Sequence, residues 1–120
     1  MEQETLRGLE QAESDLVAAR KSVISKTFDW ACFQCQQVAE KALKAYYLKK
    51  FNELRKVHDL SFLAKKLELP ENLTIFCIKL NKIYLETRYP DVENEIPAKF
   101  FKSTDAHNAI EMAEAILQWV

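Results

Sequence analysis

The chain has one glycine, Gly8, and three prolines in 120 residues. Sandwiches and barrels turn every few residues and draw on glycine and proline to do so. A chain this poor in both must run in long uninterrupted segments, which points to helices. The predicted class is all-α, an up-and-down antiparallel helical bundle of about five helices. The length suits a single domain, residues 1–120, with one hydrophobic core.

Apolar spacing places the helices. The first runs from about Glu4 to Ser25, with Leu6, Leu9, Leu16, Val17, Val23 and Ile24 on its buried side and Ala12 and Ala19 between them. Asp29 is a candidate N-cap for the second, which continues to about Phe51. Residues 52–58 read as a connection. Asp59 caps a short third helix through Leu60, Leu63, Ala64 and Leu67, and Pro70 ends it. Asn72 or Thr74 opens a fourth, with Leu73, Phe76, Cys77, Leu80, Ile83 and Tyr84 at helical spacing. Residues 87–102 hold Pro90 and Pro97 and read as a long irregular loop. Ser103, Thr104 or Asp105 caps a last, Ala-rich helix. So much apolar surface on four helices suggests a homodimer through the first or last helix.

Composition excludes several functions. With Gly8 alone there is no phosphate loop or dinucleotide fingerprint. No zinc spacing is present, and no cofactor is expected. Asp91, Glu93 and Glu95 alternate in the proline-bearing loop and read as solvated acids. Cys32, Cys35 and Cys77 are an odd set without a disulfide pattern, and the C-x-x-C pair has apolar helical flanks, so buried free thiols are expected. No segment reads as a signal peptide or a membrane span, which leaves a cytoplasmic location as the expectation.

Charge is uneven. Residues 41–66 carry eight bases against Glu53 and Asp59, a local +6, and the remainder carries −7. A basic surface of this kind attracts phosphate, although the ends of solvated helices produce the same pattern. Gln37, Glu40, Lys41 and Lys44 fall at i, i+3, i+4 and i+7 and share one face of the second helix. Glu40 and Lys44 also suit an intrahelical ion pair. Lys41 and Lys44 offer point charges to a phosphate. His58 hydrogen-bonds at a helix start or serves as a functional imidazole. Arg88 offers a fork to a phosphate or to Glu40, and Tyr89 a stacking surface for a base.

The ordered set Phe33-x-x-Gln36-Gln37-x-x-Glu40-Lys41-x-x-Lys44-Ala45, His58-Asp59-Leu60, Thr87-Arg88-Tyr89-Pro90-Asp91 and an Ala-rich closing helix resembles the HEPN domain family over nearly the whole chain. The resemblance implies an all-α bundle, commonly a homodimer, and a link to nucleotides or RNA. It also implies a separately encoded minimal nucleotidyltransferase as partner, in a two-component or toxin–antitoxin pair. By position, Gln37, Glu40, Lys41, Lys44, His58, Arg88, Tyr89 and Asp91 match the family's polar motif residues and form the expected ligand-binding set. One feature departs from the family's ribonucleases, which carry an R-x4-6-H motif. Arg88 is followed by Tyr-Pro-Asp-Val-Glu-Asn without a histidine, Arg55 and His58 are too close, and His107 lies far downstream. The expectation is a binding module. A ribonuclease with a composite dimer site and a purely structural bundle are the alternatives.

Overall fold

The computed structural model describes residues 2–88 and 95–120, all helices and connections. The helices are α1 (Glu2–Ile24), α2 (Phe28–Phe51), α3 (Leu60–Lys66), α4 (Glu71–Arg88), α5 (Pro97–Phe100) and α6 (Ser103–Trp119). The four long ones form the bundle. α1 packs on α2 and α6, and α4 packs on the same two. Ring contacts set the directions: Phe33 near the start of α2 meets Tyr84 near the end of α4, so these two run antiparallel. Tyr46 and Trp119 meet at the ends of α2 and α6, so these run parallel across the bundle. This is the expected up-and-down order. The sixth helix is α5, a single turn with Pro97 at its start, inside the stretch read as irregular.

How does a chain with one glycine end its helices? Among the described residues, three others take the left-handed conformation instead: Lys26 at φ 62°, Asn52 at φ 53° and Glu68 at φ 55°. After α1, Thr27 N–H donates to Ser22 C=O and Lys26 N–H to Val23 C=O. After α3, Leu69 N–H donates to Ala64 C=O and Glu68 N–H to Lys65 C=O. Both are Schellman closures, which satisfy the last carbonyls of the helix. Thus α3 stops at Lys66, before Pro70. Asp59 caps α3 as expected, accepting from Ser61 N–H at 2.9 Å. Other caps differ by a residue or two from the sequence reading. α2 opens after Thr27 with Asp29 in its first turn, α4 opens at Glu71, and α6 is capped at Lys102, whose N–H donates to Asp105.

The core centres on α2. Ala31, Cys32, Cys35, Val38, Ala39, Ala42 and Leu43 are fully buried, and Gln36 is buried with them. Small side chains on several sides of α2 let its neighbours close in. The approach is close at Gly8, where a Cβ would lie 3.1 Å from Ala45 Cβ. The α1 seam is Thr5, Ala12 and Ala19, buried, flanked by Leu9, Leu16 and Val23, partly buried. These positions alternate by four and three residues, the spacing of a helix–helix seam. Leu6, Val17 and Ile24, expected in the core, are 58%, 53% and 81% exposed. The reason is geometric: α1 touches only α2 and α6 in force, so one narrow stripe is covered and the adjacent stripe is not.

Gly8→Leu is therefore expected to destabilise the bundle by about 2 kcal/mol through overpacking against Ala45. Urea unfolding measures it, and an unchanged midpoint would show that α1 and α2 do not approach this closely.

Candidate functional site

The polar stripe of α2 divides. Gln36, Glu40 and Lys44 recur every fourth residue and share a hydrogen-bonded row, whereas Gln37 and Lys41 lie about 100° further round, towards α1. Lys41 Nζ reaches Asp15 Oδ2 at 2.5 Å. It therefore pairs with α1. Gln37 Nε2 donates to Gln36 Oε1 at 2.7 Å, and Gln36 Nε2 donates to Glu40 Oε1 at 3.1 Å.

Glu40 is the centre of the group. It is buried, and both its oxygens are engaged. Oε1 also meets His58 Nδ1 at 2.9 Å, and Oε2 accepts from Lys44 Nζ at 3.0 Å. The expected Glu40–Lys44 pair is thus present, with Gln36 and His58 added to it. Burial pushes the Glu40 carboxyl up, but the hydrogen bonds from His58, Gln36 and Lys44, with the Lys44 charge, outweigh it and hold the group below its ordinary 4.5. With Nδ1 on Glu40, His58 leaves Nε2 to solvent, and its side chain is 63% exposed.

A second set of contacts fixes His58 from the other side. Asn81 of α4 accepts from Leu60 N–H at 2.9 Å and donates to Asp59 Oδ1 and Ser61 Oγ, each at 2.9 Å. That grip holds the start of α3, and with it the residue just before the cap. One turn further along α4, Tyr84 stacks on His58 at 5.4 Å and 18°. Phe33 of α2 stacks on Tyr84 at 6.3 Å and 25°. The Arg88 guanidinium lies 5.3 Å from the Tyr84 centroid. Asn81, Tyr84 and Arg88 fall on one face of α4.

The structure thus brings Glu40, Lys44, His58 and Arg88 of the expected set to one region, and places Gln37 at its edge. The Arg88–Glu40 ion pair considered from the sequence is not formed. Glu40 is already filled by nearer donors, and Arg88, at the exposed end of α4, rests on Tyr84. Tyr89 and Asp91 lie outside the described residues, as does Glu93. Gln36, Asn81 and Tyr84 join this region without belonging to the expected ligand-binding set. The i, i+4 spacings Gln36–Glu40 and Tyr84–Arg88 are the signals that point to two of them; nothing local points to Asn81.

Other candidates fall away. Cys32, Cys35 and Cys77 are buried free thiols. Burial pushes all three up, Cys35 and Cys77 to about 12, which keeps them unreactive. His107 Nδ1 sits 2.8 Å from its own helix's Ser103 C=O. No metal-binding group of histidine, cysteine or acidic residues occurs among the described residues, and no described helix is long and apolar enough to cross a membrane.

A family model described as HEPN domain matches residues 6–120. Among solved structures, the protein TT1696 from Thermus thermophilus is similar at 32% identity and TM-score 0.89, over 96% of this chain and 94% of that one. ST0689, an archaeal HEPN homologue, is similar at 33% identity and TM-score 0.83, over 96% and 93%. A HEPN domain protein from Thermotoga maritima shares the fold at 24% identity and TM-score 0.74, over 94% and 92%. No curated protein matches.

Replacing Glu40 by Gln keeps the shape but removes the charge that Lys44 and His58 address. It is expected to cost about 2 kcal/mol at neutral pH. Because the folded-state carboxyl lies below 4.5, this stabilisation is full above that value and is lost as pH falls through the lowered one. Urea midpoints of the wild type and Glu40→Gln should therefore differ at neutral pH and converge as the pH falls through the lowered carboxyl value. A constant difference across that range would contradict the arrangement.

Proposed function

We propose, for a chain that belongs to the HEPN domain family, a role as a nucleotide- or nucleic-acid-binding module. The observation that carries this is the pair His58 and Arg88 beside one aromatic ring, 5.4 and 5.3 Å from the Tyr84 centroid. Both side chains are exposed, and both bind phosphate oxygens well. Glu40 and Asn81 restrain His58 before any ligand arrives, so little ordering is left for binding to supply. Lys44, a quarter exposed, keeps protons beyond the one it gives Glu40 and adds positive charge. Tyr89 and Asp91 follow Arg88 in the chain and remain part of the proposed set.

The partners proposed with this role are a separately encoded minimal nucleotidyltransferase, as the family resemblance implies, and a second copy of the chain. The uncovered stripe Leu6, Val17 and Ile24 favours a homodimer through α1. Val17→Glu is expected to shift sedimentation equilibrium towards monomer. An oligomeric state indifferent to this change would remove α1 from the proposal.

A second reading has one observation in its favour. The R-x4-6-H spacing is missing, yet the fold sets Arg88 and His58 on the same ring within one chain. In this reading His58 Nε2 takes the proton of a ribose 2′-hydroxyl, the 2′-oxygen bonds to the adjacent phosphorus, and the P–O5′ bond breaks with the departing 5′-oxygen protonated by water, while Arg88 neutralises the phosphate oxygens. RNA that stays intact through prolonged incubation would leave binding alone.

Calorimetric titration with ATP, GTP and short RNA tests the leading reading. Arg88→Ala and His58→Ala are each expected to weaken binding by about tenfold or more, the loss of one charge-assisted hydrogen bond. Lys41→Ala, whose ammonium is committed to Asp15, is expected to leave binding nearly unchanged. No heat with any of these ligands would sink the proposal.

A further inference from the structure

Beside the Tyr84 cluster is a cavity of about 230 Å³ lined by Asp29, Trp30, Phe33, Thr87 and Arg88. Trp30 and Phe33 are the aromatic residues at the start of α2, and both have ordinary reasons to be there. Phe33 packs on Tyr84. Trp30 does not share that cover: it is 59% exposed and meets Phe33 edge-on, at 6.1 Å and 90°. A tryptophan left in water beside an open cavity forgoes much of the burial that usually fixes its place. Asp29 lies in the first turn of α2, where a carboxylate complements the helix dipole. The dipole accounts for an acid in that turn. It does not account for the acid sharing a cavity with an uncovered indole and the guanidinium of the proposed phosphate site.

We infer that this cavity reads a purine base, and specifically guanine, of the nucleotide whose phosphate lies at Arg88 and His58. The inference rests on the binding role proposed above and adds the identity of the base. Size comes first: the space suits a base and part of its sugar, and is small for a larger ligand. Stacking comes second. Trp30 and Phe33 give apolar ring surface, and base–aromatic stacking works for every base. Selection falls to Asp29, because a carboxylate offers acceptors only. Guanine presents two adjacent donors, N1–H and the N2 amino group, which a carboxylate meets with both oxygens. Adenine and cytosine present one amino group next to a ring acceptor that a carboxylate repels. Uracil presents a single N–H between two carbonyls. Thr87 is set aside as a reader, since its hydroxyl donates to Tyr84 C=O at 3.1 Å. Arg88 belongs to both regions, lining the cavity and resting on Tyr84, so base and phosphate ends of one ligand are joined through it.

The same base arrives either as a free nucleotide or in single-stranded RNA. Titrations with GTP, ITP, ATP and UTP, and with short single-stranded RNAs with and without guanine, separate the two sources. GTP or the guanine-containing RNA is expected to bind about 10- to 100-fold more tightly than its guanine-free counterpart. ITP, which keeps N1–H and lacks the amino group, should fall between GTP and ATP. Asp29→Asn is expected to abolish the preference from both sides: GTP loses its paired acceptors and weakens, while ATP, relieved of the carboxylate's repulsion of its ring nitrogen, binds more tightly. Trp30→Ala should weaken every base. If the tryptophan variant does not fold, as judged by circular dichroism, the nearly isosteric Asp29→Asn carries the test. Equal affinity for all nucleotides, or a guanine preference that survives Asp29→Asn, overturns the base reading and leaves the phosphate site standing. Absence of binding by every probe overturns both.

Discussion

The Glu40 carboxylate holds the site together. It is buried in α2 and shared among Gln36, Lys44 and His58. A buried charge costs several kcal/mol unless its oxygens are filled. Here they are filled from three places: one turn before on α2, one turn after, and the connection leading to α3. The first two contacts are local to the helix. The third is not, and it ties residue 58 to residue 40. Since His58 also stacks on Tyr84, the same carboxylate indirectly sets how α4 meets the connection.

The bundle makes room for this by keeping α2 small elsewhere. Ala31, Ala39 and Ala42 are fully buried, and Gly8 meets Ala45 across the α1 contact. Small residues allow close approach, and close approach buries most of the circumference of α2. That is why a polar stripe which ordinarily faces water lies mostly under cover here. The stripe is tolerated because each of its members has a partner. Lys41 turns to Asp15 on α1, and the Gln36–Glu40–Lys44 row turns to His58.

The positive stretch from Lys41 to Lys66 also resolves into separate tasks. Lys49 and Lys50 end α2, and Lys65 and Lys66 end α3, where cations complement the helix dipole. The Arg55 guanidinium lies 4.9 Å from the Phe62 ring and 5.9 Å from that of Tyr47. In the proposed role the positive charge offered to a phosphate thus comes from Lys44 and from Arg88, and the latter lies outside this stretch. The field of the basic segment favours an anion's approach over a wide area. The specific geometry belongs to a few residues.

The class of fold and most helix positions were legible in the chain alone. Scarce glycine and proline, apolar spacing and Asp59 as a cap are local properties, and helices are local structures. The family's ordered residues and the Glu40–Lys44 pair could be read there too. Where helices stop could not, because lysine, asparagine and glutamate stand in for glycine. Nor could periodicity show which of two adjacent apolar stripes on α1 is covered, since it marks a stripe but not a neighbour. Three-dimensional packing was needed to send Lys41 from the stripe to Asp15, to rest Arg88 on Tyr84 while Glu40 takes His58, and to leave Trp30 uncovered beside Asp29. Each of these is a choice among partners distant in the chain. It is settled by which donor reaches a buried acceptor first, and by how much surface the neighbouring helices leave open.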